Sequence, residues 1–244
     1  MRPTPARAPI RRCIAMKLHV LAASTFALSL LASCSSTPSQ PTASRWVFEA
    51  PDTRTIGIVM TPLPPVQAHF PGADCASCLA TALTEHQALA NQVQTLDASE
   101  LEQVKTEIAR ALEAKGLRVR VIAAPLDLAQ LPAFSGPGTD HARHDFRGLK
   151  TRYGVDKLLV IELSSLGASR PYAGPVPAGL PRLALTGSEF LVNLGDNTLE
   201  AQQAVEVQLT AARDWEDPPR FPGLASTYGE VLRQGKAALL RPFL

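Results

Sequence analysis

Short apolar runs alternate with amphipathic stretches from Trp46 to the C-terminus. Thr55-Ile56-Gly57-Ile58-Val59-Met60 is almost continuously apolar, the pattern of a strand covered on both faces. Leu79 to Val93 places Leu79, Ala82, Leu83, Leu89, Ala90 and Val93 at helical spacing, and reads as one amphipathic helix with His86 on its apolar face. Ser99 to Lys115 reads as a second helix. Its stripe is Leu101, Val104, Ile108, Ala111 and Leu112; Ser99 and Glu102 have capping-box spacing, and Gly116 suits the C-terminal cap. Leu117 to Val121 alternates with period two and puts Arg118 and Arg120 on one side, as expected near a sheet edge.

A loop rich in Pro and Gly follows from Ala123 to Thr139, then a short helix from Asp145 to Tyr153 stopped by Gly154. Leu158 to Ile161 reads as another buried strand, and the prolines between Ser164 and Arg182 as an irregular excursion. Leu183–Leu194 and Thr198–Thr210 flank Gly195-Asp196-Asn197, the chemistry of a hairpin. In the second of these strands Val205, Val207 and Leu209 point one way, and Glu206, Gln208 and Thr210 the other. A last helix follows, with Thr227 and Glu230 at capping spacing and Val231, Leu232 and Leu239 on one face. The order is β-α-α-β-α-β-β-β-α. Helical connections between the first three strands favour parallel pairing. The prediction is a single α/β domain from 46 to 244, a mixed sheet with helices packed on it.

The N-terminus follows a different pattern. Residues 1–33 hold five basic side chains and no acid, and Leu18 to Leu31 is an apolar stretch of 14 residues, short of the roughly 20 that span a bilayer. Basic, apolar and small-residue segments in this order make a secretory signal. The stretch ends Leu31-Ala32-Ser33-Cys34, which resembles the lipobox of bacterial lipoproteins. That resemblance implies cleavage before Cys34 and lipidation of Cys34. Ser35 follows where inner-membrane lipoproteins typically carry Asp, which implies the periplasmic face of the outer membrane. Met16-Lys17 offers a second start, and Arg11-Arg12 a poor match to twin-arginine export against general secretion. Residues 34–45 form the lipidated Cys and a Ser/Pro/Thr tether; its 11 residues after Cys34 reach at most about 40 Å. Two or three acyl chains, each methylene contributing roughly 0.8 kcal/mol, make the anchor stable. Without the signal the chain keeps 19 of its 24 basic residues against 22 acidic, a net charge of −3. No field for nucleic acid follows.

Candidate chemistry centres on Cys75-Ala-Ser-Cys78. Leu79, where c-type haem attachment needs His, excludes that use. His86 lies eight residues beyond Cys78, about 12 Å along a helix, too far to share a tetrahedral metal. His69 in the preceding loop still leaves a zinc site one ligand short. An oxidising compartment favours a disulfide between Cys75 and Cys78; a thiol-redox or metal-handling pair is the alternative. Asp140-His141-Ala-Arg-His144-Asp145 reads as a helix cap rather than a weak metal site. Trp46 and Trp215 read as packing residues. No Gly-x-Ser-x-Gly, Gly-x-x-x-x-Gly-Lys or His-Glu-x-x-His motif occurs. The expectation is a non-enzyme with no metal and no cofactor.

The segment Phe146 to Leu163, FRGLKTRYGVDKLLVIEL, resembles a recurrent unit of periplasmic lipoproteins, in which a short helix ends in Gly-Val-Asp and feeds a core strand. The hairpin EFLVNLGDNTLEAQQAVEVQL resembles their following pair. Together these are similar to the fold group of the Tol translocation-protein N-terminal domain, the curli-secretion lipoprotein and the lipoprotein activators of penicillin-binding proteins. What the resemblance implies is binding and assembly at the cell envelope, with a membrane held through the lipid and an envelope protein as partner.

Overall fold

Thirteen consecutive residues, Lys157–Ser169, form the strand around which everything else is placed. The protein is described here from a computed structural model covering residues 46–48, 54–211, 217 and 221–244. Cys34, the signal, the tether and Trp215 lie outside the described residues. Strands are β1 (Thr55–Met60), β2 (Val66–His69), β3 (Arg118–Val121), β4 (Lys157–Ser169), β5 (Tyr172–Ala173), β6 (Val176–Pro177), β7 (Arg182–Asn193) and β8 (Leu199–Thr210). Helices are α1 (Ala76–Glu85), α2 (Gln87–Gln94), α3 (Val104–Ala114), α4 (Leu149–Tyr153) and α5 (Pro222–Leu240). The main sheet runs β3-β1-β4-β7-β8, with β2 also paired to β4. Pairing of β1 with β3 and β4 is parallel, and β4-β7-β8 is antiparallel, so the fold is the mixed α/β sheet that the hydropathy pattern predicts.

β4 outlasts its neighbour β1. Where β1 stops at Met60, the prolines at 62, 64 and 65 turn the chain, and β2 then pairs parallel with Leu166 to Ser169. This strand, which ends at His69, corrects the reading of His69 as a loop residue. Its close approach depends on Gly167, with φ +148°, where a Cβ would sit 2.0 Å from the Gln67 carbonyl oxygen. Ser164 to Ser169, read as the start of an irregular excursion, instead continue β4, which stays paired with β7 as far as Ser169; what remains of the excursion carries only the two-residue pair β5/β6.

Each face of the sheet has its own core. On one, Ile58, Leu159, Ile161, Leu185 and Val205 pack under Val104, Ile108, Leu112, Leu224 and Val231 of α3 and α5. On the other, Val59, Leu158, Val160 and Val192 pack under Leu126, Phe146 and Leu149 from α4 and the 122–148 loop. Trp46 closes the first core edge-on to Phe243, with ring centroids 5.2 Å apart, as a packing residue should.

Local ends differ from the sequence pattern. The 79–93 helix breaks at His86, whose φ of −111° ends α1 and begins α2. Leu79 and Leu83 therefore lie on the outer side of α1, 43% and 47% exposed, while Cys78 and Ala82 face inward. Ser99 opens a 3₁₀ turn ahead of α3, and Asp97 accepts its N–H at 2.9 Å and its hydroxyl at 2.6 Å in place of the Glu102 capping box. Asp145 does not cap α4, which starts only at Leu149; it grips Arg147 instead, at 2.9 and 2.7 Å. Thr227 lies inside α5, bonded to the Gly223 carbonyl at 2.7 Å. Gly116 (φ +83°) and Gly154 (φ +63°) do terminate their helices.

Candidate functional site

Cys75 and Cys78 sit at the entry to α1, where the Pro-rich segment and β2 deliver the chain to a helix. Their Cα atoms are 5.0 Å apart and their sulfurs at bonding distance. The Cys78 N–H also points at the Cys75 sulfur, at 2.9 Å, as an N-cap contact. Cys78 packs into a small cluster with Phe70, Ala73, Ala82 and Tyr172. His86 stacks on the Phe70 ring at 5.5 Å, so this histidine serves packing. Among the described residues, no three His, Cys, Asp or Glu side chains converge as a metal site requires.

The Asp140–Asp145 stretch is held by one residue that the hairpin reading treated only as turn material. Asn197 is fully buried with φ +69°, a conformation Asn tolerates better than most residues. Its Nδ2 donates to the carbonyls of Ala142 (3.1 Å) and His144 (3.0 Å), and its Oδ1 accepts from the Phe146 N–H (2.9 Å). Three backbone groups of the 142–146 loop are thereby satisfied by one side chain across a sequence gap of more than fifty residues. The only signal in the sequence was an Asn at the tip of a hairpin.

The loop so held forms one wall of a cavity of about 150 Å³ above β4, β7 and β8. Glu162, Ser188 and Gln202 form its floor, Phe146 and Phe190 an edge-on aromatic wall with centroids 5.9 Å apart, and His144 and Arg143 its rim. The Ser188 hydroxyl donates to Glu162 at 3.5 Å. The Nδ1 of His144 is enclosed and makes no hydrogen bond. The arrangement offers hydrogen-bonding groups beside aromatic surface, suited to contact with a peptide or a small polar molecule. Beyond it this face of the sheet loses its cover: Ser164, Ala204, Glu206, Gln208 and Thr210 are exposed.

A second carboxylate is buried on the opposite face. Glu189, with no exposed surface, lies cross-strand from Gln203, whose amide donates to it at 2.6 Å, and its other oxygen has no hydrogen bond. Burial pushes its pKa up to about 8, against the Gln203 bond, which lowers it. Glu189 is therefore neutral over most of the physiological range.

No protein-family model matches the sequence, and no curated protein matches it. Among solved structures the chain is similar to a Xanthomonas campestris protein of the family model DUF330, at 13% identity over 77% of this chain and 81% of that one, TM-score 0.37. It is similar to lipoprotein GNA1162 from Neisseria meningitidis at 11% identity, over 74% of this chain and 96% of that one, TM-score 0.30. The PelC dodecamer from Paraburkholderia phytofirmans gives 10% identity over 78% and 86%, TM-score 0.28. No helix among the described residues is long and apolar enough to cross a membrane.

Proposed function

We propose that the chain is a non-enzymatic lipoprotein, held through Cys34 at the periplasmic face of the outer membrane, whose α/β domain, residues 46–244, binds another envelope protein. The observation that carries this reading is the uncovered half-face of the sheet. Past Val160 and Phe190 the second core ends, and β4, β7 and β8 present hydroxyls, amides and Glu206 to solvent beside the Glu162 cavity. A sheet face of mixed polarity next to a preformed aromatic cavity is a surface for contact. Its serine hydroxyls bond to Glu162 and to Thr186, partners that orient a surface rather than activate a nucleophile. The Cys75–Cys78 pair has a structural place in this reading: joined as a disulfide, it fixes the turn into α1. That arrangement favours it over thiol-redox or metal handling.

The test combines anchoring with contact. Cys34→Ala is expected to abolish acyl labelling and to release the protein from outer membranes. A photo-crosslinking residue at Ser164, on the open half-face, is expected to give one discrete adduct in intact cells, and the same residue at Glu113 on α3 none. Retained acyl label on the Cys34 variant would overturn the anchor. An absence of any adduct at Ser164 would overturn the binding surface.

A further inference from the structure

β8 is an open edge, and its chemistry specifies what can close it. The Ala211 N–H donates to the Pro181 carbonyl at 2.9 Å. In the antiparallel register that joins Gln203 to Glu189 and Leu209 to Leu183, odd-numbered residues therefore exchange backbone hydrogen bonds with β7. The backbone groups of Ala204, Glu206, Gln208 and Thr210 point the other way. Among the described residues no strand pairs with them. An open groove of about 560 Å³ runs along this edge between β8 and α5, lined by Val205, Val207, Arg233, Gln234, Ala238 and Arg241.

Exposed edges usually carry lysine, proline, a bulge or a short strand that discourages pairing. From Ala201 to Thr210 β8 has none of these; its register shift lies earlier, opposite Leu191/Val192. We infer that β8 pairs antiparallel with β8 of a second copy of this chain, making one continuous sheet through a two-fold dimer centred on Val207.

Self-complementarity selects this occupant. A strand added to β8 must turn apolar side chains toward α5 and small or polar ones toward the open face, with no second carboxylate opposite Glu206. β8 itself does so, with Val205, Val207 and Leu209 on one side and Ala204, Glu206, Gln208 and Thr210 on the other. Centring on Val207 sets Val205 opposite the second copy's Leu209 and Ala204 opposite its Thr210. Glu206 then faces the second copy's Gln208, not another carboxylate. Gln208 is ready for that role: its Oε1 accepts from Arg182 at 3.3 Å, leaving its Nε2–H groups to donate.

The other edge excludes an open-ended chain of copies. β3 is only four residues long and carries Arg118 and Arg120; Arg120 is fastened to the Tyr153 carbonyl at 2.6 Å. Just beyond it, Lys105 bonds the carbonyls of Ile122 and Ala123, both at 3.3 Å. Head-to-tail addition of β8 to β3 is blocked, and the isologous pair closes. Its two-fold axis is perpendicular to the sheet, so both chains leave Trp46 at equal height along that axis. The pairing does not depend on the membrane reading.

The experiment measures the mass of the full chain, extracted in mild detergent, by light scattering and sedimentation across a range of concentrations. Twice the chain mass is expected. Ala204→Pro removes an N–H that β7 does not use, so it is expected to keep the melting temperature within a few degrees and raise the dimer dissociation constant at least tenfold. Val207→Cys is expected to form a reducible interchain bridge on mild oxidation, and not to form it when Ala204→Pro is also present. Wild-type protein of single-chain mass at every concentration overturns the dimer, whether or not β8 then takes a strand from another protein. A dimer indifferent to Ala204→Pro also overturns it. Should Ala204→Pro fail to fold, the Val207→Cys bridge alone decides: its absence overturns the pairing.

Discussion

The two edges of the sheet end the same structure by opposite means. β3 is short, and arginine side chains and the Lys105 ammonium occupy its surroundings. β8 is three times as long, free of lysine, arginine and proline, and bordered by a groove. Between them β4 is buried over most of its length. The contrast shows that edge protection is a local choice of side chains, and that the unprotected edge is the one next to α5, where an added strand would find apolar cover.

The largest expected effect comes from breaking what both edges share. Ile161 is fully buried in β4 at the centre of the sheet, so Ile161→Asp buries a lone carboxylate at a cost of several kcal/mol, comparable with the whole stability of a domain. It is expected to leave no cooperative thermal transition. Glu206→Lys on exposed β8 is expected to shift stability by no more than about 0.5 kcal/mol. Equal melting temperatures for the wild type and Ile161→Asp would refute the placement of β4.

A smaller effect separates the β8 side from the β3 side by pH. The ordinary carboxyl value of Glu189 is 4.5 and burial raises it to about 8 in the fold. The folded chain thus holds a proton that the unfolded chain releases. The associated stability is complete below pH 4.5 and is lost as pH climbs toward 8, to the extent of a few kcal/mol. Urea unfolding midpoints are expected to fall between pH 5 and pH 8. Glu189→Gln keeps an acceptor for Gln203 and is expected to flatten that fall. The prediction fails if wild type and variant lose stability in parallel.

The smallest effect lies outside both edges. Replacing Cys75 and Cys78 together by Ser opens a bridge that encloses two residues, so the stability lost is about 1–2 kcal/mol. Dimer mass and membrane attachment should not change. Mass spectrometry after alkylation without reductant is expected to find both thiols protected; full alkylation would remove the bridge.

The sequence was legible where one segment's pattern decides its state. The order of strands and helices, the alternation along β8, the apolar continuity of β4 and the glycine stops at Gly116 and Gly154 each rest on local spacing. Reading failed where the deciding partner is remote. His86 ends a helix that periodicity would continue, because Phe70 and Tyr172 take its ring. β2 forms although prolines precede it, because β4 extends beyond β1 and leaves backbone groups to satisfy.

By itself, then, the sequence determined the mixed α/β order and the two-sided burial of β4, and it gave the N-terminus its resemblance to a lipoprotein signal, because hydropathy period and short motifs are properties of neighbours along the chain. Only the tertiary structure decided that Asn197 would hold the loop above the cavity, that Glu189 would be buried and neutral, and that β8 would be left as an edge. Each depends on groups brought together from segments far apart, where burial and hydrogen bonding are settled by packing.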